Sequence, residues 1–147
     1  MSTQSLWSGA EEGWGITSIQ KLLYVSDGTS DLTVVDSGTM ATVDSLQVTE
    51  NGSPLINLNE LEYCSGDGLI YANIWYKDRV VAIDPSNGHV HNSIDFSTFA
   101  SVERDYQRRV HGRDNSNVLN GIAYDSSTDT FFLTGKRWHL VFEVSLK

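Results

Sequence analysis

Cysteine, proline and positive charge are all scarce in this sequence, and each scarcity closes off a class of protein. One cysteine, Cys64, among 147 residues excludes an internal disulfide framework and any cysteine-based zinc cluster. It stands in a strand-like stretch with no histidine near it in sequence, which suits a small buried hydrophobe better than a nucleophile. Ten lysines and arginines against nineteen acidic residues give a net charge of -9. A nucleic-acid partner, which requires a positive field over the phosphates, is therefore not expected. No apolar run is long enough to span a bilayer as a helix, and no membrane partner is expected. The opening Met-Ser-Thr-Gln-Ser-Leu-Trp has neither a basic n-region nor an apolar h-region. No signal peptide is expected in this chain, and the compartment is left open because the natural start can lie upstream.

What is present is a folded, strand-rich domain. A hydrophobic share of 39% and an aromatic share of 10% are enough to build a core in a chain of this length. Helical periodicity is hard to find. Short β-branched and aromatic runs recur instead between clusters of Gly, Asp, Ser and Asn. Three segments follow one plan. The first runs from Trp14-Gly-Ile-Thr through Leu22-Leu-Tyr-Val-Ser-Asp and Leu32-Thr-Val-Val-Asp36 to Ala41–Val48. The second runs from Asn59-Glu-Leu-Glu-Tyr63 through Leu69-Ile-Tyr-Ala-Asn-Ile-Trp75 and Arg79-Val-Val-Ala-Ile-Asp84 to Val90–Phe96. The third runs from Asn120-Gly-Ile-Ala-Tyr124 through Thr130-Phe-Phe-Leu-Thr-Gly135 to Leu140-Val-Phe-Glu-Val144.

Trp14 to Asn59 is 45 residues, close to the blade length of a β-propeller. The expected fold is all-β, a partial β-propeller over residues 1–147 with units at about 14–57, 58–97 and 119–146. Residues 98–118 are expected as a long loop insert with one helical turn over Val102–Arg109. Ser65-Gly-Asp-Gly and Asp84-Pro-Ser-Asn-Gly88 read as hairpin turns.

Several polar groups have ordinary readings. Seven of the ten basic residues lie from Arg104 onward, and Arg104, Arg108, Arg109 and Arg113 read as a solvated loop rather than an anion site. Glu60 and Glu62 share one face of a regular strand, opposite Asn59 and Leu61, and are acid/base candidates, although paired strand carboxylates are commonly structural. His89 and His91 share a face without a third ligand, so no metal site is expected. Asp27-Gly-Thr-Ser-Asp31 has too few oxygens for a calcium loop. Asn51-Gly-Ser53 is a glycosylation triplet weakened by Pro54. Arg113–Asn117 is placed to fold over a pocket mouth as a lid.

Particular words inside the units carry more than the plan. They are Gly13-Trp-Gly-Ile-Thr17, Leu58-Asn-Glu-Leu-Glu-Tyr63 with Tyr71-Ala-Asn-Ile-Trp75 and Asp78-Arg-Val-Val-Ala-Ile-Asp-Pro85, and Val118-Leu-Asn-Gly-Ile-Ala-Tyr124 with Thr134-Gly-Lys-Arg-Trp138. In this order they resemble the C-terminal part of the plant and bacterial glutaminyl-peptide cyclotransferase (glutamine cyclotransferase) family. The resemblance implies a transferase that converts the N-terminal glutamine of a peptide or protein to pyroglutamate and releases ammonia, with no cofactor and no catalytic metal.

That reaction joins an α-amine to the γ-carboxamide of the same residue. It needs a slot that folds the side chain, a donor for the developing oxyanion, and a carboxyl group that moves a proton to the departing nitrogen. The resemblance makes Lys136 the active-site lysine, Asn59 the substrate-binding asparagine, and Trp75 and Trp14 pocket tryptophans. The internal alignment puts Trp75 and Lys136 at the ends of second strands, and Trp14 and Asn59 at the openings of first strands. On the residues alone each has a plainer reading: packing for the tryptophans, a turn for the asparagine, solvent for the lysine.

The family is also expected to close five blades and to carry its catalytic glutamate in a Phe-Thr-x-Gly-Leu segment of an N-terminal blade, and this chain has about three units and no such segment. Three explanations stay open: a fragment missing its N-terminal blades, closure as a homodimer, or a shortened relative that binds peptide without catalysis.

Overall fold

The computed structural model describes residues 12–112 and 118–146. The first sheet is a meander of β1 (Gly15–Ile19), β2 (Leu22–Ser26), β3 (Asp31–Asp36) and β4 (Thr42–Gln47), paired antiparallel in that order. A short hairpin of β5 (Thr49–Glu50) and β6 (Ser53–Pro54) leads to the second meander, β7 (Leu58–Cys64), β8 (Leu69–Ile74), β9 (Arg79–Ile83) and β10 (Val90–Asp95). Helix α1 (Ser97–His111) follows. The third sheet holds β11 (Leu119–Asp125), β12 (Thr130–Gly135) and β13 (Phe142–Val144).

Aspartates close the hairpins. Asp36 Oδ1 accepts the N–H groups of Gly38 at 3.0 Å and Thr39 at 2.8 Å, and Asp84 and Asp125 accept those of Ser86 and Ser127 at 2.8 Å each. These side chains offer the backbone a turn in place of the ladder.

The sheets stack face to face as propeller blades. β8 is buried on both faces, which accounts for its lack of apolar–polar alternation, with Asn73 its one buried amide. Ile70, Ala72 and Ile74 face one core with Tyr24, Leu32 and Val34 of the first sheet. Tyr71, Val80 and Ala82 face a second core with Phe131 and Leu133 of the third, and Cys64 is buried there. The first strands of successive blades, β1, β7 and β11, lie side by side. Side chains lock them together. Tyr63 N–H donates to Thr17 Oγ1 at 2.9 Å, and Tyr124 N–H donates to Glu62 Oε1 at 3.0 Å. Fully buried Asn73 accepts the Glu60 N–H at 2.9 Å and donates to the Leu119 carbonyl at 2.7 Å. Gly15 is required at this seam, because a Cβ there would stand 2.2 Å from the Asn59 carbonyl oxygen. β7 lies between β1 and β11, and the described residues form an arc of three propeller-like blades.

The segment expected as a long loop is a correction. Helix α1 occupies 14 of its residues together with Ser97, and runs from Ser97 to His111. Its buried face is Ala100, Glu103 and Gln107, a helical spacing in which two of three members are polar, so no apolar period betrays it. Asp95 Oδ1 accepts the Ser97 N–H at 2.8 Å at the start, and left-handed Gly112 ends the helix by donating to the Arg108 carbonyl. Arg104, Arg108 and Arg109 lie on this helix rather than in a loop. Arg104 grips Asp78 at 2.8 and 3.2 Å, and Arg108 pairs with Asp105. Arg113 and the expected lid over Arg113–Asn117 lie outside the described residues. Among the described residues no helix is long and apolar enough to cross a membrane.

Candidate functional site

Two equivalent turns and two equivalent bulges build the site. In the second blade Lys77 N–H donates to the Ile74 carbonyl at 2.9 Å, and in the third Trp138 N–H donates to the Gly135 carbonyl at 3.1 Å. The third residue of each turn, Tyr76 (φ 61) and Arg137 (φ 58), is left-handed, the requirement of a type II turn. Trp75 and Lys136 are therefore the same turn position in neighbouring blades. Holding a tyrosine and an arginine in the left-handed region costs on the order of 1 kcal/mol each, a strain that concentrates at functional sites.

The bulges sit in β7 between Leu58 and Leu61 and in β11 between Leu119 and Ile122. An extra residue breaks the strict alternation of a strand. Asn59 and Glu60 consequently both reach the same cavity, whereas regular alternation predicted Glu60 on the opposite face with Glu62. Glu62 instead serves the junction with the third blade.

The cavity, about 250 Å³, is lined by Trp14, Asn59, Trp75 and Lys136. Glu60, Asn120 and the exposed Glu12 complete its wall. Trp14 and Trp75 meet edge to face, with ring centroids 4.6 Å apart and planes at 81°. Trp75 is backed by Tyr76, stacked at 4.4 Å. Lys136 Nζ stands 5.6 Å from the Trp75 ring centroid, within cation–π range. Trp14 lies on Gly28, whose φ is +86 and whose missing Cβ would stand 2.5 Å from the indole.

Asn59 is 6% exposed, and its side-chain amide makes no hydrogen bond to another described residue. Glu60 is half-buried; burial pushes its pKa above the ordinary glutamate value, and the nearby Lys136 charge draws it partly back.

All four residues named from the sequence for this site thus meet in one cavity. Asn120 and Glu12 were not named. Asn120 was legible in the repeat, since Leu119-Asn-Gly-Ile122 aligns with Leu58-Asn-Glu-Leu61, whereas no signal marked Glu12. His89 and His91 lie elsewhere: His89 Nδ1 is 3.3 Å from Thr49 Oγ1, and His91 is exposed on β10. Among the described residues no group of three histidine, cysteine, aspartate or glutamate side chains is placed to hold a metal.

A family model described as glutamine cyclotransferase matches residues 2–146. The chain belongs to the glutamine cyclotransferase family. It is 36% identical over 138 residues to the glutaminyl-peptide cyclotransferase of Arabidopsis thaliana, covering 93% of this chain and 41% of that protein. The crystal structure of Myxococcus xanthus glutaminyl cyclase superposes with a TM-score of 0.82 at 36% identity, covering 93% of this chain and 56% of that one. Kuenenia stuttgartiensis hydrazine synthase, at TM-score 0.58 and 12% identity over 99% of this chain and 36% of that one, shares the fold alone. The chain thus spans about half the length of the glutamine cyclotransferases it matches.

Proposed function

We propose that this chain forms the substrate-gripping part of a glutaminyl-peptide cyclotransferase, which closes the N-terminal glutamine of a peptide or protein to pyroglutamate and releases ammonia. The observation that carries the reading is the buried amide of Asn59, which lines the cavity together with two indoles and has no partner among the described residues. A buried amide left unpaired costs about 1–3 kcal/mol, so its complement is a second amide supplied by the ligand. In this reading Trp14 and Trp75 form the slot that folds the glutamine side chain toward its own α-amine. The Lys136 ammonium faces the same space and stabilises the oxyanion that forms as the amine attacks the γ-carbonyl carbon. The attacking nitrogen loses a proton, the carbon–nitrogen bond of the amide breaks, and the departing nitrogen leaves as ammonia after gaining a proton.

The test is mass spectrometry of a Gln-peptide incubated with the purified chain. Pyroglutamate formation, lost in Lys136→Ala, is the expected result. Absence of both product and peptide binding overturns the reading. A second reading, peptide binding without turnover, rests on the same cavity, whose Asn59 amide and indoles can hold a peptide whether or not the ring closes. It predicts quenching of tryptophan fluorescence by Gln-peptides with no product, and it fails if Trp75→Ala leaves binding intact.

A further inference from the structure

We infer that Glu60 is the group in this cavity that recognises the free α-ammonium of the N-terminal glutamine. The inference rests on the glutaminyl-peptide reading and adds a specificity-determining residue to it.

Cyclisation requires the α-nitrogen and the γ-carboxamide carbon of one residue to come into contact. The protein groups that recognise these two ends must therefore also be adjacent. Asn59 and Glu60 are consecutive, and the bulge between Leu58 and Leu61 turns both into the cavity. An amide beside a carboxylate complements a carboxamide beside an ammonium. The third blade repeats the bulge with Asn120 but has Gly121 where Glu60 stands, so the repeat itself does not demand a carboxylate there.

The main chain of Glu60 is held from both sides. Its N–H donates to Asn73 Oδ1, and Asn73 is itself anchored to the Leu119 carbonyl. On the other side Gly15 of β1 abuts its Cα, close enough that a Cβ on Gly15 would stand 2.8 Å away. The carboxylate, by contrast, is half-buried and accepts no hydrogen bond from a described residue. A fixed backbone presenting a partly desolvated, unsatisfied carboxylate is arranged for a cationic ligand group. Lys136 is the cation that shares the wall, and it leaves the glutaminyl amine as the incoming positive charge. Glu12, the other carboxylate of the wall, is exposed and precedes β1, so it lacks this fixed backbone.

The probes are a Gln-Ala peptide amide and its desamino counterpart, a glutaramoyl-Ala amide with the same skeleton and no amine. Binding is read by tryptophan fluorescence in stopped flow, before turnover. The unsubstituted chain is expected to bind the free-amine peptide roughly ten- to a hundredfold more tightly than the desamino one, the range of a hydrogen bond to a charged partner. Glu60→Gln should bring that ratio close to one, with affinity for the desamino peptide unchanged. Glu12→Gln should leave the ratio intact. Near-ultraviolet circular dichroism of the Trp14–Trp75 pair reports whether each variant keeps the cavity. If Glu60→Gln does not fold, Glu60→Asp is expected to lower the ratio. A ratio that survives in the folded Glu60 variant overturns the inference while leaving the glutaminyl-peptide reading standing. A chain that binds neither peptide and yields no pyroglutamate overturns both.

Discussion

The buried carboxylate of Glu103 accepts the backbone N–H of His139 at 3.0 Å, fastening helix α1 to the loop that follows Lys136. Its second oxygen accepts the Leu140 N–H at 3.2 Å, and Gln107 donates to the Arg137 carbonyl at 3.0 Å. Two polar side chains of one helix thus hold the backbone from Arg137 to Leu140, directly after a cavity residue. The insertion between the second and third blades is part of the scaffold of the site.

Glu103→Ala should destabilise the fold by about 2–3 kcal/mol, because buried N–H groups lose a charged acceptor. Burial pushes the Glu103 pKa up, but the bonds from Gln107, His139 and Leu140 outweigh it and hold the group below the ordinary glutamate value. A lowered carboxyl pKa contributes stability above the unfolded value, about 4.3, and loses it as pH falls through the folded value. Thermal unfolding should therefore show a wide gap between the parent chain and Glu103→Ala at pH 7. The gap should narrow below pH 4, and a gap independent of pH contradicts the charged role.

Gly28→Ala should damage the cavity from a distance. Its φ of +86 disfavours any side chain, and the new methyl would stand 2.5 Å from the Trp14 indole. Trp14 must move off Trp75, at a cost of about 1–3 kcal/mol. The expected signs are a lower unfolding midpoint, loss of the near-ultraviolet signal of the indole pair and weaker binding of a Gln-peptide. Retention of that signal in a folded variant contradicts the packing account.

Much of this was legible in the sequence, and for a physical reason. Short apolar, β-branched runs such as Arg79-Val-Val-Ala-Ile83 and aspartate turns such as Asp84-Pro-Ser-Asn-Gly88 encode strand and turn locally, and their repetition encodes blades. Repetition also placed Trp75 and Lys136 at matching strand ends. The bulge in β7 was not legible, because nothing in Leu-Asn-Glu-Leu says that one residue goes unpaired, and the face of Glu60 was misread with it. Helix α1 was missed because Glu103 and Gln107 are buried by hydrogen bonding to the third blade, a tertiary partnership that no hydrophobic period records.

Lys136→Met should separate charge from packing. Methionine keeps an unbranched stem beside Trp75 and removes the ammonium that stands 5.6 Å from its ring centroid. If the ammonium stabilises a developing oxyanion, kcat for pyroglutamate formation should fall roughly a hundred- to a thousandfold. The dissociation constant of a Gln-peptide should change little, since the interaction strengthens only in the transition state. An equal loss in Lys136→Ala with binding preserved supports the same account. A fall in binding alone assigns Lys136 to ground-state recognition.

Glu62→Gln should stabilise the protein at neutral pH. Glu62 Oε1 accepts the Tyr124 N–H at 3.0 Å, an acceptor role that a glutamine oxygen can keep. Burial raises the Glu62 pKa, and the bond from Tyr124 only partly offsets this. The folded state therefore disfavours the charged form. The sign is opposite to that of Glu103: the penalty is fully present above the raised folded value and disappears as pH falls below the unfolded value, about 4.3. Glutamine carries no charge at either pH. The variant should melt above the parent at pH 7 and with it at pH 3.5, in parallel scanning calorimetry. A variant that melts below the parent at pH 7 contradicts the burial penalty and makes the charge of Glu62 part of what joins the second and third blades.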